Sequence, residues 1–255
     1  VRFASLGSGS KGNATLVESG NTRVLVDCGF SCVETEKRLA RLALEPGDLS
    51  AILVTHEHSD HISGVARLSR RYHLPVWMTA GTEAVHKGGE VHVWHCFTGH
   101  RDFSIGDLRV EPFPVPHDAR EPCQFVFSDG RSRLGLLTDV GSITAHIVQA
   151  LLGLDAIILE CNHDPGMLAN GPYPPSLRQR VGGPFGHLSN QQAAELLARI
   201  DTDRLQHLVV AHLSEKNNHP ELACTLLAEV LGCDAREILV ANQPDGMSWL
   251  SLDQA

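Results

Sequence analysis

The apolar residues of this chain recur with two spacings, and the switches between them mark out its elements. Arg2–Leu6, Ala14–Glu18 and Thr22–Asp27 read as strands, the last two joined by the hairpin signal Ser19-Gly20-Asn21. Val33–Leu42 has helical spacing, Pro46-Gly47-Asp48 breaks the chain, and Ala51–Val54 is a short, wholly apolar strand. Ile62, Val65, Ala66, Leu68 and Tyr72 share one helical face, with Asp60 placed as the N-cap. Pro75–Met78 restarts a strand, and several short β runs follow between residues 90 and 137, including Leu108–Val115, Gln124–Ser128 and Arg133–Leu137. Helices at Ile143–Leu152, Ser189–Ile200 and Pro220–Leu231 then alternate with strands at Ala156–Leu159, Leu205–Ala211 and Ile238–Val240. Ser189 and Gln192 form a capping box, while Pro220 and Gly232 punctuate the start and end of the last helix.

Meanders leading into βα alternation, twice over, predict an α/β protein with two sheets, each covered outside by helices. No linker of Pro/Gly/Ser composition interrupts the 255 residues, so 1–255 reads as a single domain. A hydrophobic content of 42% is enough for a sizeable core. The net charge of −9 argues against a general basic field for nucleic acid, so any polyanion must be held by local features. The 7 cysteines have no zinc-finger spacing and sit mostly in apolar runs, which predicts buried free thiols and a reducing compartment. No secretory h-region opens the chain and no apolar run approaches the roughly 20 residues of a spanning helix. The expected location is the cytoplasm, without a membrane partner; the oligomeric state is left open.

Gly7-Ser8-Gly9-Ser10-Lys11-Gly12 matches the spacing of a dinucleotide-binding loop after a strand. That motif needs a helix next, to place its N-terminus on the pyrophosphate. Asn13–Glu18 alternates like a strand instead, so a Gly/Ser loop, either bordering a site or serving as a plain turn, is the reading.

The chemistry concentrates in Thr55–Gly64, where His56, His58, Asp60 and His61 follow the apolar run Ala51–Val54. His56 and His58 are two apart and point the same way on extended chain. Asp60 and His61 come where the chain turns helical, so the segment can serve two metals. Imidazole and carboxylate donors suit zinc, manganese or iron, and no cysteine lies within the cluster to imply a structural thiolate site. Asp27, His117, Asp139 and His212 each follow an apolar run, where strand ends deliver side chains to a cleft.

Asp27, His56–His61, His117, Asp139 and His212 match in order the five motifs of the metallo-β-lactamase superfamily. The resemblance implies an αββα sandwich with a dinuclear site between its sheets. Leu6–Glu18, Leu159–Asp164, Pro184–Leu197 and Ala211–Ala223 further resemble the YycJ/WalJ branch, bacterial metallo-hydrolases regarded as nucleases or phosphodiesterases. Carried over, His56, His58 and His117 would hold one metal, Asp60, His61 and His212 the other, and Asp139 would bridge. The implied activity is hydrolysis of phosphodiester bonds by a metal-bridging hydroxide, as a 5′–3′ exonuclease on DNA with two divalent ions, zinc or manganese, or else iron. Asp60 would also orient the nucleophile. His187, two residues before Ser189, would protonate the leaving oxygen or contact phosphate. Asp27, Glu160 and His163 would stand behind the ligands, and Lys11, Asn13, Arg178 and Arg180 could contact a nucleic-acid backbone. The rival readings are a small-molecule or cyclic-nucleotide phosphodiesterase, a thioester or lactam hydrolase, and a metal-free binding module. His58, where redox di-iron relatives carry Glu, argues against oxygen chemistry, and a tRNA-gripping arm and a large inserted domain are both missing.

Overall fold

The computed structural model describes residues 1–252. The first sheet takes β1 (Arg2–Gly7), β2 (Ala14–Ser19), β3 (Thr22–Val26), β4 (Ala51–Leu53), β5 (Pro75–Thr79) and β6 (Val93–Phe97). The second takes β7 (Phe103–Ile105), β8 (Leu108–Pro114), β9 (Cys123–Ser128), β10 (Arg133–Leu137), β11 (Ala156–Glu160), β12 (His207–Ala211) and β13 (Leu239–Val240). β14 (Met247–Ser251) returns to the first sheet and pairs antiparallel with β1. Both sheets are 7-stranded, ordered β14-β1-β2-β3-β4-β5-β6 and β13-β12-β11-β10-β9-β8-β7.

Alternation along the strands builds three apolar layers. Val24, Val26, Ala51 and Leu53 of the first sheet meet Phe125, Phe127, Leu134, Ile158 and Val209 of the second. The alternate residues Leu25 and Ile52 face outward under α1 (Cys32–Arg41) and the helices after His58. Val126, Ile157, Leu159 and Val210 face outward on the other side. There they pack with residues of α5 (Ala145–Ala150), α8 (Asn190–Leu197) and α9 (Pro220–Leu231). Strands this buried on both faces read as unbroken apolar runs, which is why Ala51–Val54 and Ala156–Leu159 stood out. The expected αββα sandwich of two mixed sheets is the observed fold.

Three local expectations need correction. The helix anticipated across Ile62–Tyr72 is two pieces, α2 (Ser59–Ile62) and α3 (Val65–Tyr72). They part at Gly64, whose N–H donates to Cys28 O at 2.8 Å and whose Cα passes so close to the Phe30 carbonyl that a Cβ would lie 2.0 Å from it. Asp60 is not the N-cap: His58 is, and Asp60 sits inside the first turn with its carboxylate turned to the site. The helix expected over Ile143–Leu152 is confined to Ala145–Ala150, because Thr144 caps it through the Ile147 N–H. The short helices α4 (Ala80–Val85), α6 (Pro165–Asn170) and α7 (Pro175–Val181), and strand β14, were not anticipated, since five to seven residues show too little periodicity. Ser189 and Gln192 do form the reciprocal capping box of α8.

β2 follows the Gly/Ser loop directly, so that loop opens no helix. β3 and β4 run parallel, as do β10, β11 and β12. Parallel strands end on the same edge, and the candidate residues gather there. No helix among the described residues is long and apolar enough to cross a membrane.

Candidate metal centre

The chain leaves its strands abruptly at this edge. Asp27, Asp139 and His212 have φ of 61°, 54° and 54°, in the left-handed region that residues other than glycine seldom enter. Such backbone costs free energy, and the surrounding contacts must hold it. At His212 the Ser8 hydroxyl accepts the backbone N–H at 2.9 Å, so the Gly/Ser loop does border the site. At Asp139 the backbone N–H donates to Glu160 Oε1 at 3.1 Å.

Five imidazoles converge, and each has one ring nitrogen taken by a partner outside the cluster. His61 Nδ1 donates to Asp27 Oδ2 at 2.8 Å. His56 Nδ1 meets Thr55 Oγ1 at 2.9 Å, and that hydroxyl donates on to Asp27 Oδ2 at 2.8 Å. His58 Nε2 donates to the Asp118 carbonyl at 3.2 Å, and His117 Nδ1 to the Gly186 carbonyl at 3.0 Å. His212 Nδ1 donates to Glu160 Oε1 at 2.9 Å. These acceptors orient every ring and turn its other nitrogen inward.

The inward atoms form groups able to hold cations. His56, His58 and His117 make one, and Asp60, His61 and His212 another, each with ligand atoms within 4.8 Å of one another. Asp139 lies between them, Oδ2 at 3.1 Å from His61 Nε2 and Oδ1 at 3.7 Å from both His117 Nε2 and His212 Nε2. His56 Nε2, His212 Nε2 and Asp139 Oδ2 are buried without a hydrogen-bond partner. Buried polar atoms are rarely left so, and a cation of the imidazole–carboxylate type fits all three.

The field of the site favours positive charge at its centre. Burial opposes ionisation of Asp60, but the His212 and His61 rings beside its carboxylate, 3.6 and 3.4 Å away, outweigh it and hold the carboxyl well below the usual range. Burial likewise opposes the charged ring of His212, yet Asp139, Asp60 and Glu160 push its pKa up to about 10. His56 goes the other way: burial, and then the neighbouring His61, keep it neutral. Burial does the same for His117.

The remaining predicted residues divide into those the fold brings to the centre and those it does not. Glu160 is fully buried and accepts five N–H groups: from His187 and His212 rings and from the backbones of Asp139, Val140 and Leu188. His187 donates Nδ1–H to it at 2.9 Å and lines the cavity of about 340 Å³ above Asp60, Asp139 and His212. His163 is buried beside Ser189, and its side chain makes no hydrogen bond among the described residues. Asn13 is buried behind the cluster, its amide 3.0 Å from His61 Nε2 and 3.3 Å from Asp60 Oδ2. Lys11 is spent on Glu215 at 2.7 Å, Arg180 on Asp118 at 2.5 Å, and Arg178 on the Ala169 carbonyl. Arg180 still borders the cavity, with Tyr173 and Ser10, which sequence reading missed. Thr55 and Asp118 were also missed as ring-orienting groups, although each is a chain neighbour of a predicted ligand.

Fold and site together define a metal-dependent hydrolase of the metallo-β-lactamase class. The beta-lactamase superfamily domain model matches residues 22–212. The exodeoxyribonuclease YycJ of Bacillus anthracis is 38% identical over 239 residues, covering 91% of this chain and 89% of that protein. The exodeoxyribonuclease WalJ of Streptococcus pneumoniae is 36% identical over 228 residues, covering 87% of this chain and 85% of that protein. Among solved structures, the metallo-beta-lactamase fold protein YhfI of Bacillus subtilis superposes with a TM-score of 0.74 at 17% identity, over 98% of this chain and 99% of its own. The chain therefore belongs to the metallo-β-lactamase superfamily, in the family that holds YycJ and WalJ.

Proposed function

We propose that this chain hydrolyses phosphodiester bonds in DNA with two divalent cations, removing nucleotides from the 5′ end. The observation that carries the reading is the pair of three-residue groups meeting at Asp139, beside His187, which shares a further candidate group with Asp139, Glu160 and His212. In this reading His56, His58 and His117 hold one cation, Asp60, His61 and His212 the other, and Asp139 both. Zinc and manganese suit these donors, and iron is the third choice. When bound, such a pair activates water and offsets charge on the phosphoryl group.

The chain's own groups do the rest. Asp60, partly exposed, carries one carboxylate edge toward the cleft and orients the attacking water. Glu160 holds the Nδ1–H of His187, so a second proton on that ring sits at Nε2, facing the cleft. From there it passes to the leaving oxygen, the role of a general acid. Identity of 36–38% over most of the chain to proteins named exodeoxyribonuclease supports DNA as the substrate. The setting we assign is a bacterial cytoplasm, supported by 7 free thiols.

A small phosphodiester is the second reading. It is favoured by the cavity above the centre, about 340 Å³, whose bordering arginine is already paired. Metal analysis with assays on 5′-labelled single- and double-stranded DNA, a cyclic nucleotide and bis-p-nitrophenyl phosphate separates them. Two cation equivalents and short products released from the 5′ end are expected. Turnover of the small esters alone overturns the DNA reading, and a protein without bound cations overturns both.

A further inference from the structure

A second, larger cavity of about 770 Å³ opens on the other side of His58, and the function proposed above does not use it. It shares His58, Ser59 and Asp118 with the cavity over the metal centre, so the two adjoin at the candidate ligand His58. The cations differ between the two cavities. Around the metal centre, Lys11 and Arg180 are neutralised by Glu215 and Asp118. In the second cavity Lys87 and Arg120 line the wall, and neither side chain has an ion pair or hydrogen bond among the described residues. Ile62 and Val85 supply an apolar surface there, with Val85 40% exposed. Glu57 Oε1 accepts the Arg120 backbone N–H at 2.6 Å and fixes that loop, while its Oε2 is buried without a partner.

Free cations and an apolar wall suit a nucleotide. The cations match phosphate, and the apolar wall the sugar and base. A cavity of this size falls in the range of small-ligand pockets. We propose that it is a subsite for single-stranded nucleic acid flanking the bond under attack, with Lys87 and Arg120 holding the next backbone phosphates. The inference rests on the nuclease reading, and it names where a net-negative protein grips a polyanion. Lys87 lies just past α4, a short helix whose place in the cleft no sequence period announced.

The test is binding by the metal-loaded protein, read by fluorescence anisotropy with phosphorothioate oligonucleotides of two and six residues across a salt series. The double variant K87Q/R120Q changes only exposed side chains, and R236Q, at an exposed pair with Asp234, is the control. Loss of two phosphate contacts lowers the slope of log affinity against log salt by about 1.4 for a single strand. The six-residue strand is expected to bind the double variant several-fold more weakly with that smaller slope. The dinucleotide, whose one diester occupies the metal centre, is expected to bind both proteins alike, as is bis-p-nitrophenyl phosphate to be turned over alike. An unchanged slope with DNA still bound and cleaved overturns the subsite alone. A wild-type protein that hydrolyses bis-p-nitrophenyl phosphate but binds no DNA overturns the nuclease reading and the subsite with it.

Discussion

Asp27 and Glu160 stand behind different rings of the candidate metal centre and are supported unequally. Asp27, at the end of β3, accepts from the Thr55 backbone, the Thr55 hydroxyl and the His61 ring. Glu160, at the end of β11, accepts from two rings and three backbone N–H groups. Both are buried, and burial alone raises a carboxyl pKa. For Asp27 burial wins and the pKa stays raised. For Glu160 burial is outweighed, chiefly by His187 and His212, and the pKa falls to about 2. The lesson is that two carboxylates in matching positions do different work according to how many donors surround them. Asp27 orients metal-side rings only; Glu160 also orients the proposed acid.

The largest expected effect separates that extra task. His187→Ala is expected to lower kcat by about 10²–10⁴, the range for a lost general acid, with both cation equivalents retained. Loss of a cation would make His187 part of the metal centre instead. Glu160→Gln comes next, because an amide cannot accept all five donors. Activity is expected to fall toward about 100-fold, through cation affinity and kcat together, as for lost groups behind metal ligands. Asp27→Asn is expected near the lower end of that range, about 10-fold, appearing in cation affinity and vanishing at saturating metal. A larger loss for Asp27→Asn than for Glu160→Gln would break the comparison.

The smallest effect belongs to a carboxylate far from the centre. Burial opposes ionisation of Glu18, but hydrogen bonds from Arg2 and Arg23 outweigh it and lower its pKa from 4.5. A depressed carboxyl stabilises the fold above its unfolded value and loses that contribution as pH falls through the folded one. Glu18→Gln is expected to lower Tm slightly at pH 7 and by progressively less as the pH falls below the usual glutamate range, with catalysis untouched. A change in kcat would show that the sheet edge is coupled to the site.

Much of this was readable along the chain. The runs Ala51–Val54 and Ala156–Leu159 mark strands because they are buried on two faces, as are Leu208–Ala211 of the run expected over Leu205–Ala211, whose strand begins at His207. Ser189 and Gln192 mark a helix start because both partners lie within one turn. The histidines of Thr55–Gly64 stand out because six neighbouring positions carry two candidate ligands of each three-residue group. The other half was harder: His117, Asp139 and His212 are single residues on three strand ends, each ordinary by itself.

What the chain's local order determined is therefore the succession of elements, the αββα layering and the donor types available at strand ends. Those depend on side-chain period and on partners a few residues apart, and both can be counted along a polymer. Tertiary structure alone decided which cations are free. Lys11 meets Glu215 at a separation of 204 residues, Arg180 meets Asp118 at 62, and Lys87 and Arg120 are left open beside the cleft. It also decided that Asp27, Asp139 and His212 turn in left-handed backbone, since only contacts from distant segments offset that cost. Pairing across such distances depends on how two whole sheets register against each other, and no short window of sequence contains that.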